Sequence, residues 1–344
     1  MRVAVFGAGG FIGSTFCELY KNELDIVRLA SKDVPLGDKG AIAAALKGVD
    51  AVVHVAFDHS YKDNILGIQN IVDGCIKNGV KKIIYLSSVS VYDPDFVGVL
   101  DEGSPYSVIN DPYSKEKRAV EKELDKMARG KINTVILQPS IIYGLGGNWT
   151  KYAFHVAKAE SVLLPKAGAG ICNQIYVEDV VRAIYLALSA DVSYEKILIS
   201  SNESIGWGDF YNAHKDILKE EGYPVGGVVR DDSTTNEFHS SCPKNMALTL
   251  WFKTPFGTIF DLAISTLKKM RSKQYSNISS DSALKSFLYS EVKDKPLEPL
   301  GITKKVHNCG FKVDSSKAAN VLNFEAKIGF SDGIDKIKNK LKGL

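Results

Sequence analysis

Residues 3–13 of the 344-residue chain read Val3-Ala4-Val5-Phe6-Gly7-Ala8-Gly9-Gly10-Phe11-Ile12-Gly13. The four apolar residues predict a buried strand, and the residues that follow the glycines predict a helix. Glycine at 7 permits a tight turn, glycine at 10 lets the backbone approach a pyrophosphate, and glycine at 13 permits close packing of helix on strand. Because the pattern lies between a strand and a helix, it predicts a dinucleotide site. The cofactor-binding residues predicted here are Gly7, Gly10, Phe11, Ile12 and Gly13.

The first two hundred residues alternate between strand-like and helix-like segments. The predicted strands are 3–6, 26–30, 51–56, 82–86, 134–138 and 196–200. The predicted helices are 11–24, 41–47, 64–78, 113–127 and 177–188. Such alternation predicts βαβ units with right-handed crossovers. The expected fold class is therefore α/β, a Rossmann-type doubly wound parallel sheet with a smaller C-terminal substrate-binding lobe.

The alternation loosens after about Gly144. We therefore assign 1–170 to the dinucleotide-binding domain, with 175–200 returning to its sheet, and 171–344 mainly to the substrate-binding lobe. Within the lobe, Asp314 or Ser315 is expected to cap a helix over 317–322, and Ser331 is expected to cap the last helix.

Composition excludes several classes of function. The net charge is +3 and the basic residues are spread along the chain, so a nucleic-acid partner is not expected. The five cysteines lie far apart without a C-x-x-C pair, which predicts reduced, buried thiols. No histidine pair has metal-ligand spacing, so no metal is expected, and His54 is expected to be a hydrogen-bonded core residue. The absence of a signal peptide and of a long apolar run predicts a cytoplasmic location.

The residues after the second strand bear on the choice of cofactor. An acidic residue there accepts hydrogen bonds from the adenosine ribose of NAD, whereas a basic one accommodates the 2′-phosphate of NADP. The chain reads Leu29-Ala30-Ser31-Lys32-Asp33. Ser31 and Lys32 favour NADP, but a small shift of the loop brings Asp33 to the ribose. The cofactor is therefore NAD or NADP, with a preference for NADP, and Ala56 at the end of the third strand is expected beside it.

Three polar side chains form the predicted catalytic set. Ser88 follows the strand 82–86, at the edge where open α/β sheets bind ligands. Asp111 and Pro112 are expected to begin a helix that places Tyr113 and Lys117 one turn apart on one face. A neighbouring ammonium and a nicotinamide ring both favour the phenolate, which lowers the tyrosine pKa from its usual value of about 10. Lys117 can also hold the nicotinamide ribose, and Ser88 can bond the substrate oxygen.

The spacing Y-x-x-x-K is not specific by itself, because it also occurs in charged helices whose tyrosine is exposed and whose lysine is solvated. Combined with the glycine loop and the serine turn, however, it predicts an enzyme. The reaction would join proton transfer at Tyr113 to hydride transfer with a nicotinamide.

These motifs resemble the extended short-chain dehydrogenase/reductase family, in its NAD-dependent epimerase/dehydratase branch. Residues 64–70 are similar to the N-x-x-G-x-x-N helix of that family. Residues 138–144 are similar to the segment that borders the nicotinamide, although Gln138 stands where the family usually has arginine. Residues 175–180 and 311–318 also resemble family segments, and only residues 225–305 do not align.

The resemblance implies a cytoplasmic enzyme that acts on a nucleotide-linked sugar, often as a homodimer. It implies that Pro139 and Ile142 border the nicotinamide, and that Tyr113 is the base of an epimerase that oxidises the sugar transiently. The 4,6-dehydratases carry an acidic pair where this chain has Val89-Ser90, and certain reducing epimerases carry a cysteine in that turn, so both activities are disfavoured. The expected substrate-pocket residues are Ser90, Tyr92, Asn148, Trp149 and Tyr176.

Two other functions stay open. One is an NADPH-dependent carbonyl reductase or alcohol dehydrogenase for a small apolar substrate, which Ser31, Lys32 and the apolar segment 245–270 favour. The other is a non-catalytic dinucleotide-sensing or RNA-associated module, which the intact Tyr113 and Lys117 disfavour. An amphipathic helix over 256–273 is compatible with docking on an anionic membrane surface, but a lobe helix with one buried face is the commoner case.

Overall fold

A computed structural model of the chain describes residues 1–57, 60–109, 111–231, 288 and 302–343. Its strands are β1 (Arg2–Phe6), β2 (Asp25–Leu29), β3 (Ala51–His54), β4 (Lys82–Leu86), β5 (Val97–Leu100), β6 (Asn133–Pro139), β7 (Ile141–Tyr143), β8 (Ser161–Leu164), β9 (Ile171–Cys172), β10 (Gln174–Tyr176), β11 (Tyr194–Ile199), β12 (Ile205–Gly206), β13 (Val228–Asp231) and β14 (Gly310–Val313). Its helices are α1 (Phe11–Leu19), α2 (Lys39–Ala45), α3 (Tyr61–Asn78), α4 (Pro112–Ala128), α5 (Asn148–Ala157), α6 (Val177–Ser189), α7 (Trp207–Glu220), α8 (Ile302–His307), α9 (Ser316–Leu322) and α10 (Phe330–Lys342).

The central sheet has six parallel strands in the order β11-β6-β4-β3-β1-β2. The predicted doubly wound α/β fold is thereby confirmed. Phe6 pairs with Leu29 on one side and with His54 on the other, so β1 lies between β2 and β3. The chain reverses its direction of travel across the sheet at this point. Open α/β sheets bind ligands in the crevice at such a reversal.

Neighbouring residues of a strand point to opposite faces of the sheet, so these apolar strands present apolar side chains on both faces, and helices cover both. Val5 packs with Phe16 of α1 and Ile184 of α6 in one apolar cluster. Phe6 packs in a second cluster, with Ile68 of α3 and with residues of α2 and α4. The strands therefore consist of nearly continuous apolar residues, as parallel strands buried on both sides do.

A separate apolar cluster lies beside this sheet and joins α5, α7 and α10. It contains Phe154, Trp207, Phe210 and Ile337, all buried. Helix α5 precedes residue 170 but packs in this cluster, whereas β11 lies in the central sheet, within the segment predicted to return there. The division at residue 170 stays a prediction, because residues 232–287 lie outside the described part of the chain.

Two local predictions are wrong. The first helix ends at Leu19 rather than near residue 24, since the Leu24 amide bonds the Tyr20 carbonyl in a turn. The last helix begins at Phe330 after Gly329, so Ser331 does not cap it. Ser315 does precede α9 as expected, and the Asp314 carboxylate accepts the Ser316 amide at 2.8 Å.

Four of the five cysteines lie among the described residues, and all four are buried and free, as predicted. Cys242 and the segment 256–273 lie outside that part of the chain. Among the helices that the structure describes, none is long and apolar enough to cross a membrane.

Candidate active site

The glycine loop joins β1 to α1 at the reversal of the sheet. Gly7 has a φ of +88°, and a Cβ on it would lie 2.6 Å from the Ala56 nitrogen. A Cβ on Gly13 would lie 2.1 Å from the Gly7 carbonyl oxygen. Both contacts are with backbone, which cannot move aside as a flexible side chain can. Gly7 and Gly13 are therefore required by the packing of the loop itself, and Ala56 lies against it as predicted.

Gly9 and Gly10 are less crowded by the surrounding protein. A Cβ on Gly9 would meet no atom within 4 Å, and one on Gly10 would meet only the Gly7 carbonyl oxygen at 3.4 Å. Packing of the protein therefore leaves open space beside these two residues. The first bond inside α1 runs from the Ser14 amide to the Gly10 carbonyl, so the preceding amides of α1 are available to an anion. These residues fit the pyrophosphate of a dinucleotide.

The residues expected near the adenosine ribose form an exposed turn. Ser31, Lys32 and Asp33 follow β2, and the Asp33 amide donates to the Ala30 carbonyl at 3.0 Å. Sequence reasoning missed a second cation here, Arg28, whose Nη2 lies 3.4 Å from the Ala8 carbonyl oxygen of the glycine loop. The sequence did carry a signal for Arg28. Side chains alternate along a strand, so residue 28 points to the same face as residue 30, where the turn begins.

The predicted start of α4 is confirmed. Asp111 precedes the helix, and its carboxylate accepts the Ser114 amide at 2.9 Å, with Pro112 in the first turn. This cap fixes the helix so that Tyr113 reaches the turn after β4. Ser88 lies near the Tyr113 hydroxyl and lowers the Tyr113 pKa, and 41% of the Tyr113 surface is exposed. The structure thus brings together the tyrosine and serine that lie 25 residues apart in the sequence.

Lys117 lies beneath Tyr113 and is buried. Its Nζ donates to the Leu86 carbonyl at 2.9 Å and to the Tyr85 hydroxyl at 3.3 Å, and lies 5.8 Å from the centre of the Tyr113 ring. Burial lowers the Lys117 pKa to about 8, against the opposing influence of Glu116 and Glu121. At mildly alkaline pH, Lys117 is therefore uncharged in a substantial fraction of the molecules.

The Tyr113 pKa is raised above its ordinary value. Desolvation by the surrounding protein is the largest cause, although 41% of the residue surface is exposed, so the hydroxyl end is the enclosed part. The interaction with Ser88 acts in the opposite direction, and the charges of Glu116 and Asp111 raise the pKa further. The protein alone therefore does not lower the Tyr113 pKa as predicted. The phenol is protonated at neutral pH, and a base at this position needs further positive charge beside the ring.

Phe57 is a second residue that sequence reasoning missed. Its ring is 44% exposed and lies 5.3 Å from the Tyr113 ring, while the Lys117 ammonium lies 5.4 Å from its centre. The only signal was its place directly after Ala56 at the end of β3. Phe57 supplies an exposed apolar surface at the mouth of the site.

The other predicted residues near the nicotinamide lie on two neighbouring segments. The Ser90 amide donates to the Ser88 hydroxyl at 3.1 Å, and the buried Ser90 Oγ has no hydrogen-bond partner in the part of the chain that the structure describes. Pro139 is buried at the end of β6, and the half-buried Ile142 pairs with Ile175. Phe11 connects the glycine loop to the segment that follows β7, since a Cβ on Gly147 would lie 2.7 Å from its ring.

The remaining residues of the expected substrate pocket do not form one surface. Tyr92 is buried, and its hydroxyl donates to the Gln138 side chain at 2.8 Å. Tyr176 is fully buried in the apolar cluster of the lobe. Asn148 is exposed at the start of α5, and the Trp149 ring packs 5.0 Å from the Trp207 ring. Because protein encloses Tyr92 and Tyr176, we leave both out of the substrate site proposed below.

His54 is the histidine that was expected in the core. It is buried near Lys117, and its pKa is lowered to about 3, first by burial and then by the Lys117 charge. Its Nδ1 has no hydrogen-bond partner among the described residues, so it is a core residue but not the fully bonded one that was expected. No cluster of potential metal ligands occurs among the residues that the structure describes.

Comparison with known proteins finds matches over most of the first two hundred residues. A sequence model of the NAD dependent epimerase/dehydratase family matches residues 3–200. A 3beta-hydroxysteroid-dehydrogenase/decarboxylase (isoform 2) from Arabidopsis thaliana is 31% identical over an alignment of 210 residues, and the match covers 54% of this chain and 37% of that protein. N-acetyl-alpha-D-glucosaminyl-diphospho-ditrans,octacis-undecaprenol 4-epimerase from Escherichia coli O157:H7 is 28% identical over an alignment of 219 residues, and the match covers 56% of this chain and 65% of that protein. The chain thus spans 37% and 65% of the lengths of these two relatives.

Similarity in fold extends over the whole chain. The structure of MoeE5 in complex with UDP-glucose and NAD covers 100% of this chain and 99% of its own, with a TM-score of 0.66 and 18% identity. At this level of identity the likeness concerns the architecture, and it agrees with the sheet order described above.

Proposed function

The chain belongs to the NAD dependent epimerase/dehydratase family, and from this premise we propose that it is an NAD(P)-dependent epimerase that acts on a nucleotide-linked sugar, with Tyr113 as the base. One observation carries the proposal. Ser88 lies near enough to the Tyr113 hydroxyl to lower its pKa, and Lys117 stands one helical turn from Tyr113, at the same edge of the sheet as the glycine loop.

Residues of the glycine loop would hold the dinucleotide. The open space at Gly9 and Gly10 admits a pyrophosphate, and the amides of Phe11, Ile12 and Gly13 face an anion with the positive end of the helix dipole. Lys117, Pro139 and Ile142 belong to the nicotinamide end of this proposed site. When bound, the nicotinamide ring accepts or returns a hydride.

The side chains of the protein would manage the proton and the substrate oxygen. Ser88 would donate a hydrogen bond to that oxygen, and Tyr113 in its phenolate form would take the hydroxyl proton as the C–H bond breaks. The charge of Lys117, together with the positive charge that an oxidised nicotinamide would add, would reduce the free-energy cost of forming that phenolate. Tyr113 would give the proton back when the hydride from the nicotinamide adds to the opposite face of the ketone, which would yield the epimer without net oxidation. Ser90, Asn148 and Trp149 are the proposed substrate contacts.

The exposed cations after and within β2 support NADP over NAD. Ser31 and Lys32 lie in the turn that follows the strand, and Arg28 lies at the glycine loop. No acidic residue stands at 29–32, and Asp33 is the first carboxylate of the turn. A 2′-phosphate would therefore meet positive charge first. A homodimer stays a prediction, as does the location in the cytoplasm.

A second candidate is a reductase or dehydrogenase for a small apolar ketone or alcohol. Phe57 favours it, because the exposed ring beside Tyr113 offers apolar contact where a sugar needs hydrogen bonds. The plant relative is named as a hydroxysteroid dehydrogenase, which is consistent with such a substrate. The chemistry of Tyr113 and Lys117 would be the same, but hydride transfer would run in one direction.

One experiment separates the two candidates. The purified full chain is examined for retained dinucleotide and then incubated with UDP-sugars without added NAD(P)H. Appearance of the epimeric sugar with no net change in NAD(P)H supports the epimerase. Stoichiometric consumption of NADPH on an apolar ketone, with no sugar isomerised, contradicts it and supports the reductase. Tyr113→Phe serves as the inactive control in both assays.

A further inference from the structure

Three successive turns of α4 face three successive residues at the end of β4. Tyr113 lies near Ser88, and Lys117 donates to the Leu86 carbonyl at 2.9 Å. One turn further on, Glu121 accepts a hydrogen bond from the Ser87 hydroxyl at 2.5 Å. The first two contacts belong to the proposed catalytic set. The third holds the same strand to the same helix but lies below the site.

Glu121 is 1% exposed, yet its carboxylate is well supplied with donors. Besides Ser87, the Tyr106 hydroxyl donates at 2.7 Å and the Gln138 side-chain amide at 2.9 Å. Lys196 of β11 completes the set, with its Nζ 2.8 Å from Oε2 of the carboxylate. The carboxylate thus joins α4 to β4, β6 and β11.

The same contacts reach the turn that carries the serine. Gln138, which donates to Glu121, accepts a hydrogen bond from the Tyr92 hydroxyl at 2.8 Å. Tyr92 follows the 3₁₀ turn Val89–Val91, which Ser88 begins. Glu121 is therefore connected to both sides of Ser88, through Ser87 before it and through Tyr92 after it.

A buried ion pair is a poor way to add stability. The cost of removing two charges from water often cancels their attraction, and apolar side chains of similar size are commonly as stable. What such a pair supplies is fixed geometry, because the charged groups are satisfied in only one arrangement. Here that arrangement spans the strand and the helix that present Ser88, Tyr113 and Lys117.

We propose that Glu121, with Lys196 as its counter-ion, is a positioning residue that fixes the Ser88 turn against α4, one helical turn from Lys117. The inference rests on the proposed function only in treating Ser88, Tyr113 and Lys117 as the reacting groups. The placement of the charges can be tested whether or not the substrate is a nucleotide sugar.

The charge of Lys117 is set by groups on three elements. Burial lowers its pKa, and the carboxylates of Glu116 and Glu121 on α4 raise it. Tyr85 on β4 bonds the ammonium, and His54 on β3 lies near it, neutral because its own pKa is depressed to about 3. Tyr113 completes the surroundings, and its raised pKa keeps it neutral as well. Among the described residues, the charges that act on Lys117 are therefore the carboxylates of Glu116 and Glu121, and Lys196 is paired with Glu121.

The test measures the titration of Lys117 directly. The full chain is labelled with acetic anhydride over a series of pH values, and the labelling of Lys117 is read by mass spectrometry. Glu121→Gln removes a negative charge, so we expect Lys117 to titrate about one pH unit lower. Lys196→Met removes a positive charge and is expected to shift it upward. Glu123→Gln is the matched control and should leave the titration of Lys117 unchanged. Glu123 lies on the same helix, but it is bonded to Gln69 and close to Lys126.

Shifts of the Lys117 titration in opposite directions in Glu121→Gln and Lys196→Met distinguish this role from damage to packing, which would shift the titration in the same direction in both variants. Tyr106→Phe removes one donor to Glu121 and one acceptor for Lys196 and Gln138 but leaves the charge of Glu121 in place, so it remains informative if Glu121→Gln fails to fold. In a turnover assay, Glu121→Gln is expected to lower kcat by about 100-fold, the cost of a misplaced catalytic group, while KM for the dinucleotide stays within about threefold. Shifts in one direction, absence of any shift, or a kcat equal to that of the Glu123→Gln control would overturn the proposal.

Discussion

The Nζ of Lys117 lies 2.9 Å from the carbonyl oxygen of Leu86, two residues before Ser88. The ammonium is therefore held by the end of β4 rather than by Tyr113, whose ring centre is 5.8 Å away. This contact places a positive charge under the tyrosine while satisfying the charge with a backbone group. It also ties the helix that carries Tyr113 to the strand that leads into Ser88.

Replacement of the tyrosine tests the assigned base. We expect Tyr113→Phe to lower turnover by about 100- to 10,000-fold, the usual contribution of a positioned acid or base. Binding of the dinucleotide should stay close to that of the wild type, because the ring and its contact with Phe57 are retained. Steady-state kinetics and titration of the cofactor measure the two effects. Tyr61→Phe, an exposed tyrosine on α3, is the matched control, and wild-type turnover in Tyr113→Phe would refute the assignment.

The depressed pKa of Lys117 predicts a dependence of stability on pH. Its folded pKa is about 8 and its unfolded pKa about 10.4, so between these values the unfolded chain binds more protons. The free energy of unfolding should therefore rise as pH increases from about 8 to 10.4, by about 1.4 kcal/mol per pH unit at the steepest. Below pH 8 the cost of burying the charge is fully present.

Denaturant unfolding of the wild type and of Lys117→Met at several pH values isolates this contribution, because other titrating groups are common to both proteins. The wild type should gain stability relative to the variant as the pH rises. The control is Lys115→Met, since Lys115 is exposed on the same helix. A difference between the wild type and Lys117→Met that stays constant from pH 7 to about 10 would show that the buried lysine is not titrating in this window.

The two kinds of glycine in the loop should respond differently to a methyl group. Gly13→Ala places a Cβ 2.1 Å from the Gly7 carbonyl oxygen, and overpacking of this kind costs about 2 kcal/mol or more. Gly10→Ala meets only that oxygen, at 3.4 Å, so stability should change little while affinity for the dinucleotide falls at least about tenfold. Thermal unfolding and cofactor titration measure the two effects. Equal loss of cofactor affinity and stability in Gly10→Ala would argue against a pyrophosphate beside it.

The turn after β2 should decide the preference for NADP or NAD. Lys32→Glu reverses a charge that would face the 2′-phosphate, and we expect it to weaken NADP binding by roughly tenfold or more without weakening NAD binding. Asp33→Asn is the matched variant, since it should leave NADP binding unchanged. Fluorescence titration with both dinucleotides gives the ratio of affinities. If Asp33→Asn weakens NAD binding and Lys32→Glu has no effect, the carboxylate binds the ribose and the chain prefers NAD.

Much of the fold followed from local patterns. The strand before Gly7 and the Asp111-Pro112 start of α4 are each set by neighbouring residues, and the structure contains both. The resemblance to the epimerase/dehydratase family is confirmed for the same reason, because its motifs are short and contiguous. Errors arose where a local signal was ambiguous, as at Ser331, one residue beyond the true start of α10.

The sequence by itself determined the sheet, the glycine loop and the identities of Ser88, Tyr113 and Lys117, because each depends on residues a few positions apart. Only the tertiary structure decided what surrounds them. Burial raised the Tyr113 pKa, enclosed Tyr92 and Tyr176, brought Arg28 to the glycine loop and joined Lys196 to Glu121 across 75 residues. Desolvation and hydrogen bonding between distant segments depend on the packed arrangement of the whole chain, and no local pattern of residues specifies them.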